Sequence, residues 1–298
     1  MSKKISELTS ASTPLAGTET VEIVQSGVSK KVAVSYLGGS SGGRELLSAD
    51  RTYYVRTDGS NSNNGLANTA GGAFLTIQKA IDVAANIDNG GYDVTIMVVA
   101  GTYTGANTFK TIFGAGRIVI RGDTADLTST IVSTTSASCF STTNGFSGVY
   151  HLEYMKVQTT TSGYCLFVFG GGVVTFQNIS FGACAEAHIG VGALAMIKAT
   201  GNYTISGAAT THISSYDSGA LRVQSVTVTV SGTPAFSGQF VEVGRSGGAL
   251  LNSITFSGSA TGKRYNVTLN GVLFTGGGGA NYFPGNSAGT TATGGQYV

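Results

Sequence analysis

The chain has 298 residues, of which only 11% are charged and 45 are glycine, with no tryptophan and a net charge of +2; its mean hydropathy is +0.18. A disordered chain needs low hydrophobicity and high charge, so this composition describes a folded protein of the Gly-, Ser- and Thr-rich kind that suits a β-solenoid. No basic run exceeds a lysine pair (Lys3-Lys4, Lys30-Lys31) and no 18-residue apolar run is present, which argues against nucleic acid and membrane insertion as partners.

Taken in order, the N-terminus MSKKISELTS lacks the apolar stretch of a signal peptide, so synthesis in a cytosol is expected. Residues 1–37 offer sparse apolar contacts (Ile5, Leu8, Leu15), a short strand at Val21–Val24 and a second at Lys31–Val34. That is too little for an independent core, since chains under about 40 residues need staples or partners; the segment must dock or trimerise. Its pattern K-I-S-E-L-T, L-x-G-x-E, I-V-Q-x-G-x-x-K-K resembles the short N-terminal module of bacteriophage tail-fibre and tailspike proteins. The resemblance implies a virion-anchoring module at 1–37 that binds other virion proteins. It also implies a homotrimer, and location in the virion after synthesis in the bacterial host cytoplasm.

Residues 38–43 (GGSSGG) read as a flexible linker. Residues 44–93 hold a first strand, Thr52–Arg56, and then a run of turn formers. Asp58, Asn61, Asn63 and Asn64 contain one carboxylate, whereas a calcium loop needs several and a terminal Glu; a plain turn is expected. Ile77, Ala80, Ile81 and Ala84 follow helical spacing, so 76–87 should be an amphipathic helix that caps the exposed edges of a first solenoid coil. Val94–Val99 is nearly all apolar, as for a parallel strand buried on both faces. Early coils follow at Arg117–Ile120, Thr130–Val132 and Cys139-Phe140. The run Y-Y-V-R-T-D-G-S-N, then F-x-T-I-Q-K-A-I-D and V-V-A-G-T-Y, resembles the opening of the pectin-lyase-like β-helix of phage tailspikes. That implies the fold; it says little of a reaction, because one such helix can carry many functions.

Between Val149 and Gly277 the chain repeats itself. The apolar anchors Val157, Phe181, Ile205, Val230 and Phe256 recur with a nearly constant period of about 25 residues, and such a period marks stacked coils. The period-two alternation around the anchors makes the repeats strands. Further apolar strands follow at 165–169, 221–223, 241–243 and 267–269. Together these predict an all-β solenoid, a right-handed single-stranded parallel β-helix over 94–277 with an N-terminal capping helix, followed by an extended C-terminal segment at 278–298. Three cysteines without a CxxC spacing (Cys139, Cys165, Cys184) read as small interior residues.

Polysaccharide hydrolysis would need two carboxylates about 5–9.5 Å apart. Beyond Asp126 the acids are Glu153, Glu186, Asp217 and Glu242. Counting from the anchors stacks Asp217 under Glu242 as a catalytic dyad; a register set by the strands instead places Arg222 beside Glu242 as a surface ion pair, and is preferred because strands fix register better than turns. His151, His188 and His212 look isolated, with Glu186 and His188 as a weaker pair. Sugar binding without cleavage asks for aromatic faces and hydroxyls, for which Tyr154, Tyr164, Tyr203, Tyr216 and Tyr265 are candidates. No metal or cofactor is expected. The leading expectation is a phage virion protein that presents a β-helix to a bacterial surface polysaccharide. A glycosidase or lyase depolymerase is the alternative, and a purely structural decoration the third reading.

Overall fold

The computed structural model describes residues 20–33 and 44–298. They fall into two units, divided after Arg44. In the first, Thr20–Gln25 and Val28–Ala33 form an antiparallel hairpin. Its two-residue turn, Ser26-Gly27, has both φ angles positive (55° and 75°), the type I′ geometry that matches strand twist. The second strand starts at Val28, earlier than the expected Lys31; the rest of 1–37 and the linker lie outside the described residues.

The second unit is a right-handed parallel β-helix. Each regular coil has three strands: a first wall, a one-residue corner, a second wall in the same fifteen-stranded sheet, and a third wall in a separate eight-stranded sheet. The interior is built from in-register columns of apolar side chains, because an inward position in one coil lies over an inward position in the next. Ile118, Tyr150 and Val174 stack in the first wall, Val157, Phe181 and Ile205 in the second, and Leu166, Ile189, Ile213 and Val241 in the third. Cys139, Cys165 and Cys184 are buried among them, with Cys165 between the other two thiols.

The corner after the first wall is a single left-handed residue in several coils, as at Tyr154, Asn178, Ser225 and Ser253. Between the third wall and the next coil the chain turns through two left-handed residues, repeated as Ala193-Leu194, Asp217-Ser218, Arg245-Ser246 and Leu269-Asn270. Backbone bonds run from rung to rung here, Ser218 N to Arg245 O, Ser246 N to Leu269 O and Asn270 N to Thr293 O.

Helix α1, Ile77–Ala84, buries Ile77, Ala80, Ile81 and Ala84, the four positions expected from spacing. Thr76 caps it by accepting from Lys79 N at 3.2 Å, satisfying one of the amides that a helix start leaves open. The helix plugs the end of the bore and does not cover the outer face of Val94–Val98; that strand alternates, with Thr95 and Met97 half-buried, and is not buried on both faces as expected. The Gly-rich tail, expected as an extended segment, builds a further coil: Thr290-Thr291 and Gln296-Tyr297 pair in parallel with the coil before, and Phe283 fills its centre.

The anchors through Val230 stack as expected. Phe256 does not: it lies over Val228 and not over the anchor Val230. Most of the extra length is in Ser231-Gly-Thr-Pro234, where Gly232 and Thr233 take positive φ. Every register across this coil is lengthened to match, Ser214 pairing with Glu242 and Leu221 with Ala249.

Inside the coils two imidazoles meet. His188 Nε2 lies 2.8 Å from Gly182 O, His188 Nδ1 lies 3.1 Å from His212 Nδ1, and His212 Nε2 lies 3.0 Å from the Tyr203 hydroxyl. A carbonyl only accepts, so His188 carries its proton on Nε2 and its Nδ1 accepts from His212 Nδ1–H. His212 Nε2 then accepts from Tyr203 O–H. Both rings are neutral and every polar atom is satisfied. Burial holds His188 down to about 4; burial, then the neighbouring His188, holds His212 well below its usual value. The histidines expected to be isolated are thus paired.

Candidate functional site

The outer face of the third wall carries the candidate site. In Leu166–Phe169 the inward residues are Leu166 and Val168, so Phe167 and Phe169 face out. The next coil places glycine under them: Phe167 is in register with Gly190 and Phe169 with Gly192. A Cβ on Gly190 would come within 2.7 Å of the Tyr164 ring and 3.0 Å of Phe167, and one on Gly192 within 3.1 Å of Tyr216. These two glycines let aromatic rings lie over the strand. Tyr164 stacks on Phe167 with centroids 4.7 Å apart, and Phe167 on Phe169 at 6.0 Å. Burial, then the neighbouring Tyr164 hydroxyl, raises the Tyr216 phenol above its ordinary value.

Beside this strip lies a groove of about 380 Å³ lined by Tyr164, Ser214, Tyr216, Glu242, Arg245 and Thr268, among others. Arg245 sits 4.7 Å over the Tyr216 ring, a cation–π contact, and its Nε donates to Asp217 Oδ1 at 3.0 Å. Burial raises the Tyr164 phenol; the neighbouring Tyr216 hydroxyl opposes the shift, and the charges of Glu186 and Glu242 add to it. Glu242 shares the groove lining with Tyr164, and Glu186 accepts from Gly163 N, next to Tyr164 in the chain.

Of the expected residues, the structure brings together Tyr164, Tyr216, Glu242 and Asp217, with Glu186 at the edge, where its Oε1 accepts from Gly163 N. It separates the others. Tyr154 occupies a corner between the first and second walls. Tyr203 is buried with His212 and cannot meet a ligand. Tyr265 is in register with inward Val241 and stacks on Tyr297 at 4.2 Å. Glu186 is exposed while His188 is interior, so they share no face.

Neither expected register for the acids holds. Because this coil is longer than those before it, Asp217 meets Arg245 and not Glu242. Arg222 is in the first wall, in register with Lys198 and Leu250, and so cannot pair with Glu242 of the third wall. Glu186 and Glu242 are two coils and about four residues apart, roughly 16 Å at ordinary strand spacing and rise, too far to flank one glycosidic bond.

A second polar cluster, on the first wall, was missed. Glu153 is only 3% exposed although it points outward. Arg121 Nε donates to its Oε1 at 2.5 Å and Gln177 Nε2 to its Oε2 at 2.7 Å, with His151 Nε2 at 3.4 Å. His151 Nδ1 bonds the Thr175 hydroxyl at 2.7 Å. Burial pushes the Glu153 carboxyl up, but the bonds from Gln177 and Arg121 outweigh it and hold it low. Both oxygens are occupied, so the carboxylate ties three adjacent coils together. The signal was His151 and Glu153 at i, i+2 on one strand face, with Gln177 one coil length later.

No family model matches the sequence, and no curated protein matches it. Two solved structures do, both of pectin methylesterase from Aspergillus niger. The deglycosylated form is 14% identical, with 86% of this chain and 87% of that one covered and a TM-score of 0.37. The penultimately deglycosylated form is 14% identical, with 85% and 86% covered and a TM-score of 0.36. So distant a likeness assigns neither reaction nor substrate.

Proposed function

We propose that this protein is a bacteriophage virion protein of the tail-fibre or tailspike type, which joins other virion proteins through residues 1–37, assembles as a homotrimer and uses the β-helix to adhere to a bacterial surface glycan. The observation that carries adhesion is the aromatic strip Tyr164-Phe167-Phe169, with Tyr164 and Phe167 laid over Gly190 and Tyr216 over Gly192, beside a polar groove. Ring faces stack on sugars and the groove supplies hydroxyl and carboxylate partners. Many weak sites in a particle gain strength together. The virion role is supported by the resemblance of residues 1–37 to phage anchoring modules. Adhesion in preference to cleavage is supported by the separation of Glu186 from Glu242 and by the engagement of Asp217 with Arg245.

The test incubates the purified protein with polysaccharides of candidate hosts, reading retention on the glycan together with new reducing ends or unsaturated uronates. Retention without cleavage is expected. Cleavage that disappears in Asp217→Asn or Glu242→Gln would replace adhesion by depolymerisation. Electron microscopy of particles, with a labelled chain, tests the virion position, and mass measurement in solution tests the trimer.

A further inference from the structure

The groove of the third wall carries a charge pattern that narrows its ligand. Three carboxylates lie around it: Glu242 in its lining, Glu186 held on Gly163 N next to Tyr164, and Asp217 on the lining Arg245. One cation, Arg245, lines it, and that guanidinium is held by Asp217 and by the Tyr216 ring. Glu242 is different from the other two. It is half-buried, and among the described residues no hydrogen bond or ion pair engages it. Its in-register neighbours are Ser214 and Asn266, neither of which neutralises it.

From this we infer that the groove takes a neutral or amino-bearing sugar and rejects acidic ones, with Glu242 as the residue that sets the choice; the inference rests on the adhesion proposed above. An unengaged carboxylate beside stacking rings is an acceptor for two neighbouring sugar hydroxyls, and bonds to an ionised acceptor are about twice as strong as neutral ones. A protonated amine would satisfy it as well. A uronate, sulfate or phosphate in the same place would meet like charge from Glu242, with Glu186 and Asp217 adding to the repulsion. Specificity of this kind comes as much from the rejected ligand as from the accepted one. The Arg245 charge does not rescue an acidic sugar, because its partner Asp217 already balances it.

The experiment is binding of the full chain to an array of bacterial surface polysaccharides grouped as neutral, amino-sugar and uronate-containing polymers, at low and at physiological salt. Wild type is expected to hold neutral or amino-sugar polymers at least tenfold more tightly than uronate polymers of related backbone, with the gap narrowing as salt screens the charges. Glu242→Gln keeps the shape and removes the charge. It is expected to bring uronate polymers to within about threefold of the neutral ones, and Glu242→Ala to weaken neutral binding about tenfold. Equal wild-type binding to uronate and neutral polymers, or a ratio unmoved by Glu242→Gln in a variant that melts like wild type, overturns the inference and leaves adhesion standing. Binding to no polymer overturns adhesion itself and the inference with it.

Discussion

Acid should weaken this fold in a window where carboxylates do not act, and the buried imidazole pair sets the size of the effect. Above the ordinary histidine pKa of about 6.5, His188 and His212 are neutral both folded and unfolded, and their contribution is fully present. As pH falls below that value the unfolded chain takes up two protons. The folded chain cannot, because burial holds His188 down to about 4 and holds His212 well below its ordinary value. Nor does the neighbourhood offer a countercharge: the rings pack against Phe181, Tyr203, Phe236 and Phe240. Each proton refused costs about 1.4 kcal/mol per pH unit. From pH 7 to about pH 5 the two together remove about 4 kcal/mol, and the buried His151, also held low by burial, adds to this. Denaturant titrations at the two pH values measure the loss, and nitrogen NMR of the rings should find His188 protonated on Nε2 and His212 on Nδ1. A midpoint unchanged between pH 7 and 5, or a ring protonated at both nitrogens in the folded protein at pH 5, would refute the derivation of the proton positions.

Other perturbations probe other parts. Tyr203→Phe removes the donor to His212 Nε2 and should cost about 1–3 kcal/mol, read by the same titration at pH 7. Gly190→Val forces Tyr164 and Phe167 off the strand; thermal melting should show a loss of about 1–3 kcal/mol, and glycan retention should fall by a larger factor than in a core variant of equal stability. Glu153→Ala leaves His151 and Gln177 without their shared acceptor and should cost about 2–4 kcal/mol, whereas Asp217→Ala, on an exposed ion pair, should cost under about 1 kcal/mol. Leu194 is 79% exposed and left-handed, with φ at 64°; Leu194→Gly should raise the melting midpoint, by the equivalent of about 1 kcal/mol.

Repeat, strand type, capping helix and most interior columns were legible because stacking forces inward residues to recur at a fixed interval. The burial of Tyr203 was legible as well, against its place among the sugar-binding candidates: it stands two residues before the inward anchor Ile205, so alternation puts it inside. The groove was hidden for two reasons. A few extra residues in one coil, mainly at Ser231–Pro234, moved Glu242 from Asp217 to Ser214, and loop length is not written in the apolar pattern. In the third wall two consecutive residues face inward, Cys165-Leu166, His188-Ile189, His212-Ile213 and Phe240-Val241. Alternation counted through that double step assigns the wrong face to everything beyond it. The strip of Phe167 and Phe169 over Gly190 and Gly192 emerges only when the step is known.

The two-residue left-handed corners, from Ala193-Leu194 to Leu269-Asn270, have a consequence for how such a rod diversifies. From Asp217-Ser218 onward their backbone is bonded from rung to rung, and the side chain the corners present varies from alanine to aspartate, arginine and leucine without disturbing the columns inside. Each rung is a socket about 4.8 Å above the last, and only between Asp217 and Arg245 do the side chains of two successive sockets pair as ions. Exchanging residues in these sockets rewrites the lettering along one edge while the spine stays in print.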